Sequence, residues 1–397
     1  MPVKKLKAAI QDALPKGFES YSLHEPFFDE KEEAYVIECL RSRWVSYQGR
    51  FVKEFEQKLA EFCGAKHAIA VSSGTVSLYL ALKVLGLDEG CEVIIPALTF
   101  VATANAVMQV GAVPHLVDAS YQNFGIDALK LDDYLAQIVE FDDRGVAINR
   151  RTKRRVKAIV PVHVFGHPVD LDGIIRVAQK YNLIVIEDAA EGLGSYYHGR
   201  HLGTFGAIAT LSFNGNKVIT TGGGGALLTN DDVIADRLRH ISTTAKIVHP
   251  YEFYHDEVGY NFRMPNINAA IGVAQLEKID GFLKQKQLLA EHYKDAFAGS
   301  EYFDFMLDEP DTHSNYWLQA VVIKPAYAHL RNELLDSLHA SKVGCRPIWI
   351  PMHMLPMYKD MPQSDLSFTN DLHNRVICLP SSPFLAQNLG EVNYEKA

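Results

Sequence analysis

The sequence predicts an α/β protein, with a mostly parallel central sheet covered by helices on both faces and a smaller α+β domain after it. Two observations carry this. Between residues 68 and 190, short and nearly continuous apolar runs alternate with segments of helical spacing, the rhythm of a sheet buried on both faces. After Asp231 the rhythm turns helical and then mixes strand with helix. At 397 residues the chain is long enough for two domains. We divide it into an N-terminal arm over 1–27, a large domain over 28–248 and a smaller domain over 249–397.

The elements follow in order. MPVKKLKAAIQDAL at the start reads as a short amphipathic helix or a loose arm; it lacks the sustained apolar run of a signal peptide. Helical spacing runs from Glu30 to about Leu40 and returns from Phe51 to Phe62, where Phe51, Phe55, Leu59 and Phe62 share a face. Ser42–Arg50 between them is a polar loop. Strands are expected at Ala68–Ser73, Glu92–Ala97, Val113–Asp118, Val156–Gly166 and Leu183–Ala190. Helices are expected at Gly74–Leu87, Thr99–Gly111 and Leu171–Asn182. The basic cluster in Phe141–Arg155 is attached to no glycine-rich turn, so it reads as an exposed loop or hairpin. Beyond Asp231, helical spacing covers Asp232–Ile241 and Asn266–Phe297. A strand at Asn315–Ile323 and a helix at His329–Val343 complete the smaller domain.

Composition narrows the class. The formal net charge of −9 argues against a general nucleic-acid binder. Five scattered cysteines, with no CxxC pair, favour reduced thiols in a cytoplasmic protein over a disulfide frame or a zinc site. No stretch approaches the length of a bilayer span, and no metal site is expected.

Ligands of such sheets bind at the carboxyl ends of the strands, and several candidates gather there. Lys217 lies between an apolar segment ending at Phe213 and four glycines, Gly222–Gly225. A lysine held neutral and aimed at a carbonyl is a Schiff-base nucleophile, although a solvated lysine on a hairpin has the same local sequence. In SSGT, Gly74 and Thr75 open a helix after a strand, which makes an anion site or a plain helix cap. Asp188 ends the most apolar strand. Its carboxylate is costly to bury without a cation, such as a protonated pyridine nitrogen, and a helix N-cap is the alternative. Its neighbour Glu187 points to the opposite face. Phe100 suits stacking on a planar ring as well as core packing. His163 suits contact with a cofactor or substrate as well as a satisfied interior site. Ser212 suits phosphate binding or local backbone. Together these residues supply an anion cradle, a stacking aromatic, a buried carboxylate and a Schiff-base lysine on one expected sheet edge. Pyridoxal 5′-phosphate requires that set.

At these residues the chain resembles the DegT/StrS family of pyridoxal-phosphate sugar aminotransferases, of the aspartate-aminotransferase-like fold (fold type I). The likeness runs through YQGRFVKEFEQKLAEFCGAKHAIAVSSGTVSLYLAL, VIIPALTFVATANAV, PVHVFGHPVDLDGI, IEDAAEGLGSYYHGRHLGTFGAIATLSFNGNK, TTGGGGALLT and GYNFRMPNINAAIGVAQLEKID. The resemblance implies that Lys217 holds the cofactor as a Schiff base and shuttles protons. It implies that Asp188 pairs with the pyridine nitrogen, that Phe100 lies over the ring, and that Gly74, Thr75 and Ser212 hold the phosphate. His163 is grouped with the cofactor-binding residues. Asn261 in GYNFR would reach the phosphate of the other subunit's cofactor, which implies a homodimer with shared sites.

Within the family, HEPFFDE, SFNGNK, the TTAK of Thr243–Lys246, HDEVGYNFRMPN and SNYWL are most similar to the legionaminic-acid-pathway enzymes. That similarity implies a UDP-linked 4-keto-6-deoxy-N-acetylhexosamine as acceptor and L-glutamate as donor, with pyridoxamine 5′-phosphate carrying the amino group between them. The position after IEDAA, often Gln or His in the family, is Glu191 here; placed at the cofactor, it would alter the local charge. Tyr316, Trp317 and Trp349 suit core packing better than stacking on a base, and His353 and Tyr358 resemble a segment near the family's active site. Two rival readings are a sugar dehydratase on the same fold and a regulatory paralogue. Dehydratases carry histidine at the lysine position, so Lys217 argues for amination.

Overall fold

Seven strands form the central sheet: β1 (His67–Val71), β2 (Cys91–Pro96), β3 (Val113–Val117), β4 (Arg155–Ile159), β5 (Ile184–Asp188), β6 (Ile208–Ser212) and β7 (Gly225–Thr229). The computed structural model describes residues 2–389. Strand order is β1-β7-β6-β5-β4-β2-β3, extended at β4 by the hairpin Val139–Phe141/Ala147–Asn149. The exposed basic segment the sequence predicts spans that hairpin and the turn into β4, where Lys153 pairs with Glu140 at 3.3 Å and Arg155 with Asp88 at 2.8 Å.

The sheet is parallel from β6 to β3. β7 alone among the seven runs against its neighbours β1 and β6. It pairs with β6, the strand before it, through a loop that holds no helix, and antiparallel pairing needs no crossover. Lys217 stands in that loop.

Alternate residues of each strand face opposite layers. Ile69, Val71, Ile186 and Leu227 join the helices Gly74–Val84, Val101–Gln109 and Asp232–Ser242 on one face. Ala68, Ala70, Leu211 and Leu228 meet the helices Arg50–Cys63 and Asn266–Leu276 on the other, where Ala128–Ile138 and Leu171–Tyr181 complete the layer.

A second, four-stranded antiparallel sheet joins Phe303–Phe305, Gln319–Ile323, Val376–Leu379 and Arg346–Pro347. Against it pack the helices Ile279–Phe297, Arg331–His339 and Pro2–Ala13. The first helix is therefore docked. Val3, Leu6 and Ile10 are buried with Leu289, Tyr293 and Leu338, on the one apolar stripe its sequence offers.

Two expectations are corrected. The helix Asn266–Leu276, assigned above to the smaller domain, belongs to the core of the large one; at Gly272 a Cβ would meet the Phe55 ring at 2.6 Å, so the two helices touch at that glycine. The expected strand Val156–Gly166 ends at Ile159, and a 3₁₀ turn follows at Val164–Gly166. Pro161, with no N–H to donate, lies between them.

Candidate active site

A cavity of about 320 Å³ opens at the carboxyl ends of β1, β2, β5 and β6, which parallel topology brings to one edge. Gly74, Thr75, Phe100, Asp188, Glu191, Ser212 and Lys217 all line it.

The anion end is built by close approach of backbone. Ser73 caps the helix Gly74–Val84, accepting the Val76 N–H at 3.2 Å. That leaves the first helical N–H groups without helical partners. A Cβ on Gly74 would stand 2.8 Å from the Ser212 Cβ, and one on Gly225 would stand 2.5 Å from the Ser73 carbonyl carbon. The fourth glycine of the run thus lets β7 pass the turn that makes the cradle. The hydroxyls of Thr75 and Ser212 complete a donor set suited to a phosphate.

Asp188 closes β5 and is buried. Its Oδ2 accepts the Thr103 hydroxyl at 2.7 Å, and its Oδ1 accepts the Ala190 N–H at 3.3 Å. Burial pushes its carboxyl above the usual range; the Thr103 and Ala190 hydrogen bonds and the charge of Lys217 oppose that rise. A cation placed before it would restore the charged form, and a protonated pyridine nitrogen is such a cation.

Lys217 Nζ lies 3.3 Å from Glu191 Oε1 and 3.7 Å from the centre of the Trp317 ring. Glu191 Oε2 accepts the Phe165 N–H at 2.8 Å. Burial pushes the Glu191 carboxyl up to about 7, with Lys217 pulling the other way. Phe100 is 53% exposed at the mouth, its ring 6.5 Å from that of Trp349 and inclined at 58°, free to cover a planar ligand.

Two residues stand apart. His163 is buried behind the cavity wall: its Nε2 lies 3.4 Å from Glu187 Oε2, and its Nδ1 accepts the Val169 N–H at 3.3 Å. Both ring nitrogens are occupied, so in this structure it backs the Asp188 strand and does not line the cavity. Glu187, on the opposite face from Asp188 as alternation requires, is held below the usual carboxylate range: burial raises it, but His163 and the N–H groups of Gly206 and Gly203 outweigh that. Asn261 is exposed and lines no part of its own chain's cavity.

Sequence reasoning missed Thr103, whose partner is 85 residues away. It also set aside Trp317 and Trp349, which line the cavity. Trp317 packs and serves at once: it is buried, and its Nε1 donates to the Asn216 carbonyl at 2.6 Å. Tyr316, His353 and Tyr358 line none of it; His353 pairs with Asn370 at 3.0 Å and Tyr358 with Asn105.

Cradle, carboxylate and lysine in one cavity of this sheet fit pyridoxal phosphate and define a cofactor-dependent transferase of fold type I. When bound, that cofactor supplies the electron sink through which an amino group leaves one carbon and joins another. Comparison with known proteins carries the assignment further. The model of the DegT/DnrJ/EryC1/StrS aminotransferase family matches residues 26–391, and the chain belongs to that family. It is 40% identical over 366 residues to the GDP-perosamine synthase of Escherichia coli O157:H7, covering 92% of this chain and 94% of that protein. It is 33% identical to the putative pyridoxal phosphate-dependent aminotransferase EpsN of Bacillus subtilis, covering 92% of each. Among solved structures, Helicobacter pylori PseC, an aminotransferase involved in the biosynthesis of pseudoaminic acid, superposes with a TM-score of 0.81 at 25% identity, over 93% of this chain and 98% of that one. The protein is a pyridoxal-phosphate-dependent aminotransferase of nucleotide-sugar biosynthesis.

Proposed function

We propose that the protein transfers the amino group of L-glutamate to the keto carbon of a nucleotide-linked 4-keto-6-deoxy sugar, for surface-glycan or nonulosonic-acid synthesis. The observation that carries this is a groove of about 900 Å³ that shares Phe100, Asn216, Trp317 and Trp349 with the lysine cavity. Its rim holds Lys342 and Arg346, both exposed and without an ion-pair partner among the described residues. Two free cations beyond the aromatic mouth suit the diphosphate of such a substrate, with the sugar directed inward. The cofactor is held by Lys217, Asp188, Gly74, Thr75 and Ser212, with Phe100 over the ring.

The similarity to legionaminic-pathway enzymes favours UDP-4-keto-6-deoxy-N-acetylhexosamine. A second reading, a GDP-linked keto sugar, is favoured by the 40% identity to a GDP-perosamine synthase. We further propose a homodimer with shared sites, in which Asn261 serves the partner's cofactor. The segment around Asn261 exposes Val248, Tyr251, Phe253 and Val258, an apolar surface that a second copy would cover.

The test is product analysis with glutamate and a panel of UDP- and GDP-linked keto sugars. Amino product from one nucleotide series names the acceptor class. No amino product from any member overturns the proposal.

A further inference from the structure

Beside the groove lies a histidine that the aminotransferase assignment does not use. His24 lines the groove, and both of its ring nitrogens are shielded from solvent with no hydrogen-bond partner among the described residues. An imidazole buried in this way loses the hydration of two polar atoms and gets nothing in return from its own chain. The backbone around it is fixed on both sides. Tyr21 bonds Lys342 and Gly344, its N–H reaching the Lys342 carbonyl at 2.9 Å and its carbonyl accepting the Gly344 N–H at 2.6 Å. The Leu23 carbonyl accepts the Ser381 N–H at 2.7 Å, and the Glu25 N–H donates to Ser382 Oγ at 2.9 Å. The ring is therefore held in place without being satisfied.

Lys286, whose charge is felt at the ring, is engaged elsewhere. Lys286 Nζ donates to the carbonyls of Ser381 at 2.7 Å and Trp317 at 3.1 Å. Burial, then the positive charges of Lys286 and Lys217, hold the imidazole's pKa well below its ordinary value. His24 is thus neutral at working pH, with one nitrogen donating and the other accepting. The groove meets the lysine cavity at Phe100, Asn216, Trp317 and Trp349, while Lys342 and Arg346 hold the rim.

We propose that His24 binds a hydroxyl group of the acceptor sugar, orienting the keto carbon toward Lys217 and selecting for that sugar. This rests on the nucleotide-sugar reading above. The chemistry of the ring chooses the ligand. A hydroxyl both donates and accepts, which matches a neutral imidazole, whereas the carboxylates of glutamate call for cations. A diphosphate on Lys342 and Arg346 leaves the sugar, not the base, beside His24.

The experiment follows the two half-reactions of the full-length holoenzyme separately, by the absorbance of the cofactor. His24→Ala is expected to lower kcat/KM for the keto sugar by about 10–100-fold, the effect of leaving a substrate hydroxyl unpaired in a buried site. The glutamate half-reaction is expected to stay within about 2-fold, since no glutamate group is assigned to the ring. His24→Gln, which keeps a donor and an acceptor, is expected to recover part of the loss. Equal losses in both halves, or no recovery by glutamine, would mark a structural role and overturn the proposal. So would an unchanged sugar half-reaction in His24→Ala while wild type aminates the sugar. A wild-type enzyme that accepts the amino group of glutamate but passes it to no keto sugar sinks the nucleotide-sugar reading, and this inference with it.

Discussion

Lys217 Nζ stands 3.3 Å from the buried carboxylate of Glu191, and burial still outweighs the amine, pushing the Glu191 carboxyl up to about 7. A carboxyl raised above its unfolded value binds more protons in the folded state. Its stabilising contribution is therefore complete below the unfolded pKa of about 4.3 and is lost as pH rises through about 7. Chemical denaturation of the apoprotein should show wild type losing stability relative to Glu191→Gln between those limits, by about 1–3 kcal/mol. A difference that does not change with pH would mean that the amine, not burial, governs this carboxyl.

Asp188 and Thr103 form the next testable pair. If Asp188 pairs with the pyridine nitrogen as proposed, Asp188→Asn removes that negative charge and should lower kcat/KM on the order of 10²–10³-fold, the scale for breaking a buried ion pair. Thr103→Val removes the 2.7 Å donor and should cost roughly 10-fold through the same carboxylate. Because Thr103 acts through Asp188, adding Thr103→Val to Asp188→Asn should cost little more. Full additivity in the double mutant would show that Thr103 acts elsewhere.

At the cradle, Gly74→Ala introduces a Cβ 2.8 Å from that of Ser212, and the helix start or the end of β6 must shift. Overpacking of this kind costs about 1–3 kcal/mol. We expect it mainly as an approximately 10-fold or greater loss of affinity for pyridoxal phosphate, read by cofactor titration of the apoprotein. Thermal unfolding of the apoprotein should change less. Unaltered cofactor affinity would remove Gly74 from the phosphate site.

Much of this was legible in the sequence, for a physical reason. A sheet buried on both faces writes itself as apolar runs, so Asp188 at the end of one run and Lys217 before a glycine run stood out as costly choices. Glu191 and Phe100 were legible through the family likeness, and both line the cavity. What the sequence hid depends on distant neighbours. Thr103 looks like any helix threonine until β5 brings Asp188 to it. Trp317 looks like core, and is core, until the Lys217 loop lays an amine 3.7 Å from its ring centre. His163 shows the converse. Its place at a strand end invited a cofactor contact, but the strand stops at Ile159, and the chain beyond it turns the ring toward Glu187.

Asn261 offers the most decisive prediction, because it asks which chain completes which site. It is exposed, lies outside its own chain's cavity and borders an apolar segment in which Val248 is 97% exposed. If a partner copy covers that segment, each site takes its lysine from one subunit and its asparagine from the other. Lys217→Ala and Asn261→Ala homodimers should then both be impaired, the first completely. Mixing and re-equilibrating them gives heterodimers in which the intact lysine of one chain meets the intact asparagine of the other. Random exchange makes about half the dimers mixed, each with one whole site, so activity should rise to roughly a quarter of wild type per subunit. If Asn261 served its own chain, no mixture could assemble a whole site. Activity would then stay at the average of the two parents, and the shared site would be lost as an idea.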